Sequence, residues 1–136
     1  MLTLAVVLAL LLPPVVAHAA TVATTDQGSV DIELPPILAP MVVAARLEGD
    51  AYITVALAPA GRDKVLAIRE KMPFLQDAFL RELNKATIVK GDDPRAVDAN
   101  AVKTRLTARM NQILSPGTVA ELKVEQIVLS SIDPRS

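Results

Sequence analysis

The 136-residue chain contains no cysteine, no tryptophan and a single histidine, His18. Without cysteine there is no disulfide, no thiolate nucleophile and no Cys-ligated zinc. His18 sits inside an apolar leader, so the remainder carries neither a Ser-His-Asp triad nor a histidine metal site. The aromatic residues are Tyr52, Phe74 and Phe79, too few for a base-stacking platform or a sugar cleft. The five glycines are scattered and form no phosphate-cradling loop. Excess charge is missing as well, with 14 basic residues against 15 acidic ones. A nucleic-acid partner calls for a basic surplus, so none is expected. No cofactor is called for by any of these residues. The pattern is that of a non-enzymatic interaction or structural domain.

What is present begins with an uncharged N-terminus. The first acidic residue is Asp26 and the first basic one Arg46. Leu2 to Leu12 is an apolar run, followed by Pro13-Pro14 and then Val15-Val16-Ala17-His18-Ala19. Small residues at Ala17 and Ala19 are what a signal peptidase reads, predicting a cut between Ala19 and Ala20. The same 1–19 segment also reads as a membrane anchor, although Pro13-Pro14 would kink a spanning helix near its middle. Both readings export the rest of the chain, to the periplasm or to the periplasmic face of the inner membrane. Residues 20–40 follow, with Pro35-Pro36 and Pro40, and read as a Pro-stiffened linker.

The folded domain is expected over 41–133. Met41 to Leu47 and Ala51 to Pro59 are β-rich runs joined by Glu48-Gly49-Asp50, a hairpin signal. From Arg62 to Thr87, Val65, Ile68, Met72, Leu75, Phe79, Leu83 and Ala86 recur at helical spacing and form one apolar seam. The seam keeps phase through Pro73, so one helix with a kink is predicted. Gly91-Asp92-Asp93-Pro94 reads as a turn, and Asp98 as the cap of a second helix over 99–114. Ser115-Pro116-Gly117 ends that helix, and Val119 to Ile132 reads as a long closing strand. The order β-β-α-α-β describes an α+β domain with two helices against one face of a small sheet.

Candidate chemistry is sparse. Asp92, Asp93 and Asp98 could face a divalent cation, but they lack calcium-loop spacing and read better as a turn and a helix cap. Asp63, Asp77 and Glu82 supply carboxylates for hydrolysis without anything that fixes their geometry. Arg105 and Arg109, four apart, form a basic stripe for an acidic partner or lipid headgroups, or else lay their stems over apolar surface. Phe74 points about opposite the seam, as a second-side core residue or as an exposed anchor for another subunit. Tyr52 reads as packed on the hairpin.

Taken together, these segments resemble the flagellar basal-body-associated FliL family. The local matches are Arg46-Leu47-Glu48-Gly49-Asp50-Ala51-Tyr52-Ile53-Thr54-Val55, then Lys71-Met72-Pro73-Phe74-Leu75-Gln76-Asp77-Ala78-Phe79-Leu80. Arg109-Met110-Asn111-Gln112-Ile113-Leu114 is similar to that family's helix end, and Leu122 to Leu129 to its closing strand. The resemblance covers about residues 37–132. It implies a stomatin-like domain that self-associates at the periplasmic side of the inner membrane beside the flagellar stator proteins, with a role in motility. On that basis Phe74, Arg105 and Arg109 are the expected partner-contact residues. A periplasmic module that binds a small ligand, an envelope structural protein without a flagellar role and a carboxylate-only hydrolase are the other readings.

Overall fold

The computed structural model describes residues 30–132. The leader and the Ala19–Ala20 junction lie outside the described residues. Strands β1 (Ile32–Glu33), β2 (Ile37–Val43) and β3 (Arg46–Pro59) come first. A short 3-10 turn at Arg62–Lys64 leads into helix α1 (Val65–Lys85), then come helix α2 (Ala99–Ile113) and strand β4 (Val119–Ser131). The fold is α+β, with one antiparallel sheet and two helices.

The sheet is organised around β3. Along one edge β1 pairs with its C-terminal half (Ile32 opposite Leu57) and β2 with its N-terminal half (Ile37 opposite Ile53). β4 follows the whole of the other edge, from Val119 opposite Pro59 to Ser131 opposite Gly49. β1 and β2 are two lengths of one interrupted edge strand. Pro35 and Pro36 lack the N–H that a ladder needs, so pairing lapses there and resumes with one extra residue on the edge strand. Residues 32–40, expected to be linker, are thus largely sheet. The prolines that give this stretch its linker composition mark only the interruption.

The hairpin turn also differs from expectation. The chain reverses at Ala44-Ala45, whose φ values of 48° and 63° place two consecutive alanines in the left-handed region. That is the backbone of a type I′ turn, whose twist matches the flanking strands. Glu48-Gly49-Asp50, read as the connector, lies within β3. Gly49 is needed for another reason: a Cβ there would lie 2.2 Å from the Ser130 carbonyl oxygen of β4.

Strand alternation sends one side chain in two toward the helices. Ala51, Ile53, Val55 and Leu57 of β3 are buried, with Ile37, Ala39 and Met41 of β2 and Leu122 of β4. α1 meets them with Ile68, Leu75, Phe79 and Leu83, and α2 with Val102, Leu106 and Met110. The α1 seam is therefore the core face as far as Leu83, while Ala86 lies past the helix end and is exposed. α1 runs without a break through Pro73. Asp98 caps α2 by accepting from the Ala101 N–H at 3.0 Å, which satisfies one of the amides a helix start leaves open. Removing a ring such as Phe79, fully enclosed in this layer, would cost about 3–5 kcal/mol.

Candidate functional site

The sheet has a second face, and no described helix lies on it. The residues alternating with the core row point there, and they divide into two zones. Over β1 the face is ionic. Glu33 and Lys123 flank Ala56, and Lys123 Nζ donates to Asp31 Oδ2 at 2.7 Å. This contact, strengthened by the Asp31 charge, raises the Lys123 pKa above the ordinary lysine value. Over β2 the face carries one apolar row, set between the polar pairs Thr54–Gln126 and Asp50–Ser130. Leu38 pairs with Tyr52 and Tyr52 with Val128, so the three form one row across the sheet. They are 43%, 45% and 47% exposed.

This row was not among the candidates read from the sequence. Tyr52 was expected to be packed, and it is open to solvent. Val128 belongs to the continuous apolar run Ile127-Val128-Leu129, which in a strand ordinarily signals burial on both faces. Here both faces are open: Val128 is exposed on the bare side, and Leu129 is 39% exposed on the helix side. The usable signal was the change, within one strand, from the alternating Glu121, Lys123 and Glu125 to an uncharged run.

The three expected contact residues lie on the helices, and the structure gives them different roles. Phe74 is 62% exposed on α1, with the Lys71 ammonium 5.4 Å from its ring centroid. It takes no part in the core. Arg105 is turned inward. Its Nη2 donates to the Glu82 carbonyl, its Nη1 to the Ala86 and Thr87 carbonyls, both at 3.4 Å, and its Nε to Glu82 Oε1 at 3.5 Å. The Glu82 carbonyl is one of those left open in the last turn of α1, and the Ala86 and Thr87 carbonyls follow just beyond it. Arg105 on α2 therefore caps α1, and its positive charge faces the negative end of that helix dipole. Arg109 donates to Gln112 Oε1, while its Nε is buried without a partner. Arg105 and Arg109 line one groove with Glu82, and Phe74 is not among the residues lining it.

Most of the candidate carboxylates have local partners. Asp93 accepts from the Arg95 N–H at 2.9 Å and Asp98 serves as the α2 cap. Among the described residues no group of three or more His, Asp or Glu side chains converges as a metal site would require. Asp63, Asp77 and Glu82 each meet a cation of their own, at 3.5 Å (Lys64), 3.0 Å (Arg81) and 3.5 Å (Lys85). Grooves open at the described surface, and two of them adjoin residues named above. One, of about 300 Å³, runs between the helices past Glu82, Arg105 and Arg109. The other, of about 250 Å³, is apolar and lies between Pro35-Pro36, Leu38 and Leu80. No described helix is long and apolar enough to cross a membrane. Neither the protein-family models nor the curated proteins contain a match to this chain.

Proposed function

We propose that this chain is an exported, non-enzymatic interaction domain that acts as an accessory of the flagellar basal body. In this reading the leader delivers the domain to the periplasmic side of the inner membrane, and the domain holds the stator in one arrangement by differential contact. A partner shifts such an equilibrium only by as much as it binds one arrangement better than another. The flagellar assignment comes from the resemblance of the hairpin, Pro73 helix and closing strand to the FliL family. The observation that carries the interaction role is the bare Leu38–Tyr52–Val128 row, three large side chains in register on an uncovered sheet face. Tyrosine is enriched in protein interfaces, and Leu38 and Val128 beside it add apolar area that a partner would remove from water. The polar groups argue in the same direction: Arg105, Asp98, Lys123 and Asp31 all serve to hold the fold.

The test is co-isolation from flagellated cell envelopes. Full-length chain should bring down stator proteins, and Leu38→Ser with Tyr52→Ser should reduce both that recovery and swimming. Stator recovery at background from the unaltered chain, with swimming unaffected by its deletion, would remove the motor assignment. An envelope protein without a flagellar role would then be the remaining reading.

A further inference from the structure

We infer that the free edge of β4 is a self-pairing edge, along which a second copy of this chain adds antiparallel to form a two-fold dimer with one continuous sheet. The inference rests on reading the domain as an interaction module, but not on its motor role.

The sheet has two outer edges and they are finished differently. Along the β2 edge the end of α1 closes in: the Thr87 hydroxyl donates to the Val42 carbonyl at 3.0 Å, beside a groove formed by Pro40, Val42 and the last turn of α1. The β1–β2 edge is further interrupted by Pro35 and Pro36. The main-chain ladder of β4 is with β3, and no described strand pairs with its other side. Half of the main-chain N–H and C=O groups of such a strand face outward and offer a ready template for another strand.

β4 itself has two halves. In the first half Glu121, Lys123 and Glu125 alternate along the strand, and a bulge between the Gln126 and Val124 pairings breaks its regularity. Charges and bulges are the usual devices that keep edges apart. In the second half, Gln126 to Ser131, six successive residues pair with β3 without a register shift and none is charged. Val128, Leu129 and Ile132 are exposed there, on both faces of the ribbon. The protective devices stop where the apolar side chains become exposed.

A second copy fits this edge through its pattern. In an antiparallel pairing with the two-fold axis at Val128, that residue faces its own counterpart. Ile127 then lies opposite Leu129 of the second copy on the helix side, and Gln126 opposite its Ser130 on the bare side. Glu125 meets Ser131 of the copy, so no like charges oppose each other. Moving the axis toward Gln126 would bring Glu125 and Lys123 opposite the apolar residues. The charges therefore exclude axes toward Gln126, and the axis at Val128 is the one that also aligns the bare-face rows of the two copies. In that register the Leu38–Tyr52–Val128 row continues into the same row of the second copy, giving six side chains across one bare face.

Because the chain has no cysteine, single replacements report the geometry directly. In the full-length chain, oxidised in cell envelopes, Val128→Cys should give a covalent dimer. Gln126→Cys and Ser130→Cys should link to each other when mixed, and Leu38→Cys should remain monomeric, since a disulfide needs Cα atoms within about 7 Å. Val128→Lys places two ammonium groups face to face and should shift the sedimenting species from twice the chain mass to the monomer, with its circular dichroism unchanged. A monomer at all concentrations, a covalent dimer from Leu38→Cys but not Val128→Cys, or capture of Val128→Cys by a different protein alone would each overturn the inference. Dimerisation at 128 without stator recovery would leave this inference standing and remove only the motor assignment.

Discussion

Replacing Arg105 by leucine separates the two roles this residue could have, a contact for a partner and a cap for α1. As a cap it should cost stability. The bond from Nη2 to the Glu82 carbonyl is charge-assisted and worth about 1.5 kcal/mol. The two 3.4 Å contacts to Ala86 and Thr87 share one nitrogen, and together they contribute about 1 kcal/mol more. The Arg105 side chain is 22% exposed, so solvent weakens these terms only in part, and leucine recovers some of the stem's packing. The net expected loss is about 2 kcal/mol. For a domain of this size that lowers Tm by roughly 8–16 °C. Arg105→Lys keeps a positive charge at the helix end, worth about 0.5 kcal/mol, but loses the fork that reaches several carbonyls. It should fall between leucine and the unaltered chain. Urea unfolding followed by circular dichroism measures all three. If Arg105→Leu unfolds within about 0.5 kcal/mol of the unaltered chain, the size of an ordinary surface substitution, the cap assignment is wrong.

Three other perturbations follow from the same contacts. Gly49→Ala would drive a methyl group against the Ser130 carbonyl and should destabilise by about 2–3 kcal/mol, whereas a glycine in an open turn would accept alanine; equilibrium unfolding distinguishes them. Replacing Ala44-Ala45 by Asn-Gly removes two left-handed alanines and should stabilise by about 1 kcal/mol, read as a raised urea midpoint at constant m-value. The Lys123 pKa is raised in the folded chain by Asp31, so the contribution of this ion pair is present at neutral pH. It is lost as pH climbs through the ordinary lysine value of about 10.4 and past the higher folded one. Lys123→Met should remove that part of the alkaline decline in stability, measured as Tm against pH from 8 to 11.

The helices were largely legible in the sequence because their signals are local. Val65 to Leu83 repeats at 3.6-residue spacing, and Asp98 precedes an apolar-periodic run, so both the α1 face and the α2 cap could be placed. The strands depended on longer-range facts. Gly49 looks like a turn residue until β4 is known to pass within contact of it, and two alanines give no turn signal at all. Prolines at 35, 36 and 40 outweighed the alternation of Ile37, Ala39 and Met41, which marks a strand. Arg105 illustrates the limit for sites. Its place on a helix face was visible, but the carbonyls it reaches lie 18 to 23 residues away in sequence. The Leu38–Tyr52–Val128 row was invisible for a similar reason, since it exists only once three strands are in register.

These features converge on the distal half of the sheet. Its helix-free face and its unprotected β4 edge meet at Val128, while Arg105, Asp98, Lys123 and Asp31 hold the fold together. The most direct measurement is amide hydrogen exchange of the full-length chain at low and high concentration. Self-pairing predicts that exchange across Gln126–Ile132 slows as concentration rises, because outward-facing amides gain partners, while α1 around Phe74 is unchanged. Protection that grows around Phe74 and leaves β4 unaltered would contradict the account.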